Sequence, residues 1–257
     1  MDVLVTGGAG FIGSNYVHYL LAETSDRVIT LDSLTYAGSL DNLDGTLDHP
    51  RHKFIEGSIC DSDLVADIIK DVDVVVNFAA ESHVDRSIDG SKPFVRSNIE
   101  GTQTLLDASV TSDIDRFVQI STDEVYGHIL DGEFSESDPL NPRNPYAATK
   151  AAADHLVNSY HVTHDLPVMI TRSSNNFGPR QHSEKLIPKL IKHATNGENI
   201  PLYGDGSNIR EWLYVKDNCS AIDTVLRDGI YGEVYNVGSG YRLSNLEVTH
   251  KILEMIN

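Results

Sequence analysis

Two short runs in this 257-residue sequence carry residue types that do acid–base chemistry. Tyr146 and Lys150 form a Tyr-x-x-x-Lys pair (YAATK) directly after Pro145. Proline suits a first helical position, and the i, i+4 spacing then puts both side chains on one helix face. A free tyrosine, with a pKa near ~10, is a poor base at neutral pH, but a neighbouring ammonium favours its phenolate. The pair is therefore suited to taking a proton from a hydroxyl. Asp123 and Glu124 are adjacent in residues 121–127 (STDEVYG). Neighbouring carboxylates in a cleft repel, so one keeps its proton while the other ionises, giving a general acid beside a general base. Taken singly, each run has a plainer reading: a surface tyrosine with a solvated lysine, and a solvated acidic turn.

A third run, Gly8-Ala9-Gly10-Phe11-Ile12-Gly13, fits G-x-G-x-x-G, and Gly7, Gly10 and Gly13 also fit G-x-x-G-x-x-G. The pattern follows an apolar run (Val3-Leu4-Val5) and opens a helical one, which is the context a dinucleotide-binding turn requires. Glycines let the backbone approach a pyrophosphate seated on the free amides of a helix N-terminus. Asp32 lies nineteen residues after Gly13, at the end of the next strand-like run. A carboxylate there accepts from ribose hydroxyls and repels a 2′-phosphate, so the expected cofactor is NAD rather than NADP.

Stepping outward, residues 1–171 alternate strand and helix. Strands are expected near residues 3–5, 27–31, 52–56, 72–78, 116–120 and 168–171. Helices are expected over 11–22, 61–70 with Asp61 as N-cap, 93–109 and 145–164. The continuous apolar run at 72–78 (VDVVVNF) suits a strand buried on both faces, and the alternation predicts a parallel sheet between helix layers. The expected fold is α/β, a Rossmann-type doubly wound parallel sheet. From Arg172 the texture becomes turn-rich, with a helix expected over 184–195, strand pieces at 200–203 and 211–215, and a helix from Ser244 to the end. This predicts a cofactor-binding domain over 1–171. A smaller substrate region over 172–257 follows, with segments returning to the first domain and a truncated look.

Lys and Arg total 20 against 38 Asp and Glu, a net charge of −18. That argues against a nucleic-acid partner, whose backbone needs a basic face. Asp outnumbers Glu 25 to 13 and Lys numbers only 9, a bias suited to a salt-loving source, where salt screens self-repulsion. No apolar run approaches the ~18 residues of a membrane span. With no signal-like start and only Cys60 and Cys219, the expected compartment is the reducing cytoplasm. His161 and His164 share a helix face but have no third ligand, and no metal is expected.

These residues together resemble the extended short-chain dehydrogenase/reductases that modify nucleotide sugars, and within them the dTDP-glucose 4,6-dehydratase family. The likeness runs nearly the whole length. It includes residues 6–14 (TGGAGFIGS), 31–38 (LDSLTYAG), 79–88 (AAESHVDRSI), 121–127, 146–150, 172–181 (RSSNNFGPRQ), 184–188 (EKLIP) and 201–215 (PLYGDGSNIREWLYV). The glycine motif and Tyr-x-x-x-Lys mark the superfamily. Thr122-Asp123-Glu124 and Asn175-Asn176 are more specific, since related epimerases usually lack the Asp-Glu pair and related decarboxylases usually carry Ser before the Glu.

The resemblance implies a reaction on dTDP-glucose or a similar sugar nucleotide. Tyr146, helped by Lys150, would deprotonate the hydroxyl on carbon 4 as hydride passes to a tightly held NAD. Glu124 would take the proton from carbon 5, Asp123 would protonate the hydroxyl leaving carbon 6, and hydride would return there. By the same matching, Phe11, Ile12, Asp32, Ser33, Leu34, Thr35, Ser58, Ile59, Ala79, Ala80, Ser97 and Asn176 would line the cofactor. Ser82, Thr122 and Asn175 would hold the sugar. Lys185 and Arg210 would clamp the pyrophosphate, with Leu186, Pro201, Tyr203 and Asn245 near the nucleotide. Ser58 departs from the family's usual Asp near adenine, which implies weaker cofactor affinity. The family also usually extends about 60–100 residues further, a length that domain sizes make plausible. It generally forms homodimers through a four-helix bundle, for which the helices over 93–109 and 145–164 are the candidates. Competing readings are an epimerase or decarboxylase of the same superfamily, and a truncated chain that binds NAD without turnover.

Overall fold

The computed structural model describes residues 1–129, 132–202 and 204–256. Its first strand, β1 (Asp2–Thr6), leads through a glycine turn into α1 (Phe11–Glu23), then β2 (Arg27–Asp32), β3 (His52–Glu56), α2 (Ser62–Ile69) and β4 (Val74–Asn77). Helical segments α3 (Val84–Asp89), α4 (Lys92–Val95) and α5 (Thr102–Ser112) follow, then β5 (Arg116–Thr122), α6 (Pro145–His164), β6 (Val168–Ser173) and β7 (Asn175–Phe177). The remainder is α7 (Leu186–Thr195), β8 (Ile209–Tyr214), α8 (Val215–Asp228), β9 (Val234–Val237), β10 (Arg242–Ser244) and α9 (Asn245–Ile256).

Seven strands form one parallel sheet in the order β3-β2-β1-β4-β5-β6-β9. Strand order reverses direction between β1 and β4, the place where α/β sheets open a crevice for ligands. Apolar packing covers both faces. Val3, Val5, Val74 and Val76 pack with Tyr16, Leu20 and Ile222 of α1 and α8, while Leu4 and Val75 face Val65, Leu105 and Val157 of α2, α5 and α6. Alternate residues of one strand thus enter opposite cores, each such burial contributing roughly 1.5–3 kcal/mol. This is the doubly wound architecture expected from the run at 72–78.

Several boundaries differ from expectation for identifiable reasons. The helix expected over 93–109 runs from Lys92 to Ser112, with a π-helical turn over Arg96–Gly101. Such turns gather at functional sites. Here Ser97 reaches the cleft, and Asn98 exchanges hydrogen bonds of 2.8 and 3.0 Å with the backbone of Glu81. Asp61 caps α2 as expected, its Oδ1 accepting from the Leu64 N–H at 3.1 Å. No strand forms over 200–202, where Pro201 has no N–H to give to a ladder, and Tyr203 lies outside the described residues. Val215 opens α8 rather than closing a strand. Two elements not expected from the sequence, α8 and β9, bring the late chain back to the first sheet through α1 and β6.

A second sheet, β10-β8-β7, carries the late half of the cleft. Trp212, 8% exposed, packs with Leu190 and Val248 there. Among the described residues no helix is long and apolar enough to cross a membrane.

Candidate active site

The carboxyl ends of β1, β2, β4, β5 and β6 border one cleft of about 500 Å³. Beneath it, the Thr6 hydroxyl donates to Asn77 Oδ1 at 2.6 Å, and Asn77 Nδ2 donates to Gln119 Oε1 at 2.8 Å. This buried chain ties the ends of β1 and β4 to the middle of β5, so the loops above them share one base.

The glycine turn shapes one end. Gly7 has φ +66°, and a Cβ there would lie 2.6 Å from the Ala79 nitrogen. A Cβ on Gly13 would lie 2.3 Å from the Gly7 carbonyl oxygen. Only glycine allows β1, α1 and the β4 loop to meet this closely. Gly10 precedes α1 without a side-chain cap, so amides at the helix start have no side chain to bond. Asp32 is 8% exposed; its Oδ2 accepts from the Ala9 N–H at 2.9 Å and its Oδ1 from the Leu34 N–H at 2.8 Å. Burial pushes its pKa up while those N–H groups pull it down.

Of the residues predicted to meet the cofactor, Gly7, Gly10, Phe11, Ile12, Gly13, Asp32, Ser33, Thr35, Ser58, Ile59, Ala79, Ala80, Ser97, Tyr146, Lys150 and Asn176 all line this cleft. Leu34 does not. It sits in a left-handed turn (φ +49°) with its side chain against the core. The Ser58 hydroxyl accepts from the Cys60 N–H at 3.1 Å. Asn176 Oδ1 and Ser174 Oγ are buried there without hydrogen-bond partners. Ser82, Thr122, Asn175, Lys185, Leu186, Pro201, Arg210 and Asn245 line the other half. Lys185 Nζ donates to the Ser82 carbonyl at 3.4 Å, and Arg210 is exposed, its Nη1 on its neighbour's carbonyl at 2.9 Å.

The catalytic candidates meet where the halves join. Thr122 ends β5, and Asp123 and Glu124 start the single helical turn after it. The Thr122 hydroxyl accepts from the Glu124 N–H at 3.3 Å and donates to Asp123 Oδ1 at 3.2 Å. Burial, then the Glu124 charge, pushes the Asp123 carboxyl up to about 6. Burial and the same charge hold the Tyr146 proton on. Burial pushes Lys150 down to about 8, and its Nζ donates to the Ile120 carbonyl at 2.6 Å. Burial thus sets the direction at both members of the pair, up for the phenol and down for the ammonium.

Residues not anticipated from sequence complete the site. Asn144 caps α6, its Oδ1 accepting from the Ala147 N–H at 2.8 Å, while its Nδ2 donates to Glu124 Oε2 at 3.0 Å. An Asn before a proline-started helix signals the cap, but nothing local signals the second bond. Across the cleft mouth, Arg86 stacks 3.9 Å over the Tyr36 ring and pairs with Glu184 at 3.1 Å. Both partners are nearly half exposed, so this pair contributes at most ~1 kcal/mol.

The geometry agrees with what the chain is similar to. A protein of Haloferax volcanii described as "Low-salt glycan biosynthesis protein Agl12" is 70% identical over 256 residues, covering 100% of this chain and 83% of that one. A dTDP-glucose 4,6-dehydratase of Streptomyces niveus is 49% identical, covering 99% of this chain and 77% of its own length. The crystal structure of DesIV, the dTDP-glucose 4,6-dehydratase of Streptomyces venezuelae with NAD and TYD bound, superposes with a TM-score of 0.97 at 50% identity. It covers 99% of this chain and 80% of that one. Residues 3–238, which span the glycine turn, the carboxylate pair and the Tyr-x-x-x-Lys helix, match the model of one family throughout. The chain belongs to the NAD-dependent epimerase/dehydratase family.

Proposed function

We propose that the chain is a sugar-nucleotide 4,6-dehydratase, a hydro-lyase converting dTDP-glucose to its 4-keto-6-deoxy product with NAD held through the cycle. The carrying observation is the Asp123–Glu124 pair beside Tyr146, with burial and the Glu124 charge raising the Asp123 carboxyl to about 6. An epimerase needs no second acid and base; a dehydratase needs both.

The cleft fits NAD. Uncapped amides at α1 suit a pyrophosphate, Asp32 retains lone pairs for ribose hydroxyls, and Asn176 Oδ1 and Ser174 Oγ are buried acceptors awaiting partners. Held by the α1 amides and Asp32, NAD would supply the acceptor for hydride from carbon 4 and the donor for its return at carbon 6. Tyr146 takes the carbon 4 hydroxyl proton, and Lys150 supplies positive charge beside it. The ketone so formed acidifies carbon 5, where Glu124, steadied by Asn144, removes the proton. Asp123 donates to the departing carbon 6 hydroxyl. Lys185 and Arg210 meet the pyrophosphate as a point charge and a planar fork. Ser82, Thr122 and Asn175 hold the sugar, and Leu186, Pro201 and Asn245 border the nucleotide.

Residues 1–171 act as the cofactor domain and 172–257 as the substrate region, with α8 and β9 joined to the first. A second copy pairs through the α4–α5 run and α6 as a four-helix bundle; exposed Val95 and Val162 on these helices support this. The acidic surface and the Haloferax relative support a halophilic, cytoplasmic enzyme.

The test is mass spectrometry of the chain incubated with dTDP-glucose and NAD in deuterated water, at low and high salt. Loss of one water with one deuterium gained at carbon 5 is expected. Intact sugar nucleotide with NAD still bound would overturn the reading in favour of binding alone, and a parallel UDP-glucose arm would expose a different base preference.

Asp123 gives a pH prediction. It must carry its proton to act as acid, and it loses that proton as pH rises through about 6 in the free protein. The kcat/KM for dehydration should therefore fall above that pH. Asp123→Asn should lower the rate about 100-fold and remove this limb. A limb that persists in the variant would assign the acid elsewhere.

A further inference from the structure

Tyr146, Lys150 and Asp154 follow one another at four-residue steps on α6, forming one shallow stripe. The last of them has no part in the chemistry above. Asp154 is 2% exposed, Lys150 3% and Arg172 6%. Arg172 Nε donates to Asp154 Oδ2 at 3.0 Å. Its Nη1 donates to the Tyr126 hydroxyl at 2.8 Å, and its guanidinium lies 4.8 Å from that ring's centre. Tyr126 in turn donates to Asn236 Oδ1 at 2.8 Å. The arginine is thus locked from two sides, and with it the carboxylate.

Three charges are therefore buried behind the phenol in the order ammonium, carboxylate, guanidinium. Burying charges is costly, and an ammonium facing only a carbonyl oxygen tends to lose its proton. Lys150 donates to the Ile120 carbonyl, which is neutral. Asp154 supplies the anion that opposes the effect of burial on Lys150. Burial pushes the Asp154 carboxyl up, and Arg172, its ion-pair partner, and then Lys150 pull it back.

We propose that Asp154 is a positioning residue for the Tyr146–Lys150 pair: its carboxylate, ion-paired with Arg172, holds the pair's shared proton on lysine. The inference rests on the reading of that pair as the proton-transfer machinery. Once the pair has lost one proton, it has two arrangements. Phenolate with ammonium is the working base; phenol with neutral amine is idle. Asp154 stands four residues from Lys150 and eight from Tyr146, so its field favours a charge on the lysine more than it opposes one on the tyrosine. The other ionisable groups around the pair are Asp123 and Glu124 from the turn after β5, Tyr126 from the same turn, and Arg172 from β6. The two carboxyl groups of that turn act chiefly on Tyr146.

The test is a mutant cycle read in two ways. Carbon-13 NMR of the lysine ε-carbons, with Lys150 assigned by its loss in Lys150→Met, should show the Lys150 titration one pH unit or more lower in Asp154→Asn. Single-turnover reduction of bound NAD by dTDP-glucose should slow about 10-fold in Asp154→Asn with KM unchanged. In a Lys150→Met background the same change should have no further effect, because the aspartate acts through the lysine. An unmoved Lys150 titration, or additive losses in the double variant, would overturn the proposal. A Lys150→Met protein that reduces NAD at the full rate would instead overturn the role of the pair itself. Asp154→Asn leaves Arg172 buried without its anion, which endangers folding. Asp154→Glu keeps the charge and is the second variant: it should keep the Lys150 titration within half a unit and retain most of the rate. If its Lys150 titration falls as expected for loss of the carboxylate, the charge itself is not what holds the proton.

Discussion

Replacing Glu124 by Gln should stop water loss while leaving the bound cofactor able to be reduced. Glutamine keeps the volume and can still accept from Asn144 Nδ2, now 3.0 Å from Glu124 Oε2. What it lacks is proton affinity. Oxidation at carbon 4 depends on Tyr146, so it should proceed and then stall, because carbon 5 keeps its proton. General-base loss costs about 10²–10⁴-fold, and the upper half of that range is expected here, since the turn's other carboxyl, Asp123, is raised to about 6 and assigned to the leaving hydroxyl. The near-ultraviolet absorbance of reduced cofactor should rise and persist after dTDP-glucose is mixed in. A second effect follows from charge. Glu124 helps hold the protons on Tyr146 and Asp123, so its neutralisation should move reduction to lower pH. Unchanged dehydration by the variant would remove Glu124 from the mechanism.

The residues that announced themselves in the sequence are those whose chemistry depends on local spacing. Gly7 to Gly13 must turn tightly, and that need is written in consecutive residues. Asp32 falls at the end of β2 because the strand period and the βαβ length fix it there. Pro145 starts α6 where expected, which sets Tyr146 and Lys150 on one face. Contacts made across the chain gave no such local mark. Asn144 meets Glu124 across twenty residues, Arg86 meets Glu184 across ninety-eight, and β9 pairs with β6 after a long excursion. Short strands such as Val234–Val237 are fixed by the sheet edge they complete rather than by their own four residues. The same holds for charge. Lys150 beside Tyr146 reads as a promoter of the phenolate, but the sign of the net effect depends on burial that only the folded cleft reveals.

That burial makes Tyr146→Phe the sharper contrast with Glu124→Gln. Phenylalanine keeps the ring and its packing and removes only the hydroxyl, which lines the cleft beside Thr122. Neither reduction of the cofactor nor water loss should then occur at a useful rate, with a fall of about 10³–10⁴-fold in single-turnover reduction. In the native protein burial and the Glu124 and Asp123 charges favour the phenol, so the fraction of phenolate grows with pH. The native reduction rate should rise with pH accordingly, while the variant's residual rate should not. The two variants separate the half-reactions: one should accumulate reduced cofactor and the other none. If Tyr146→Phe reduces the cofactor at the native rate, the base for carbon 4 lies elsewhere. The buried Lys150–Asp154–Arg172 array would then be structural ballast rather than an electrostatic support for the phenolate. Absence of reduction in Tyr146→Phe alongside persistent reduction in Glu124→Gln would place the two proton transfers on two different side chains, in that order.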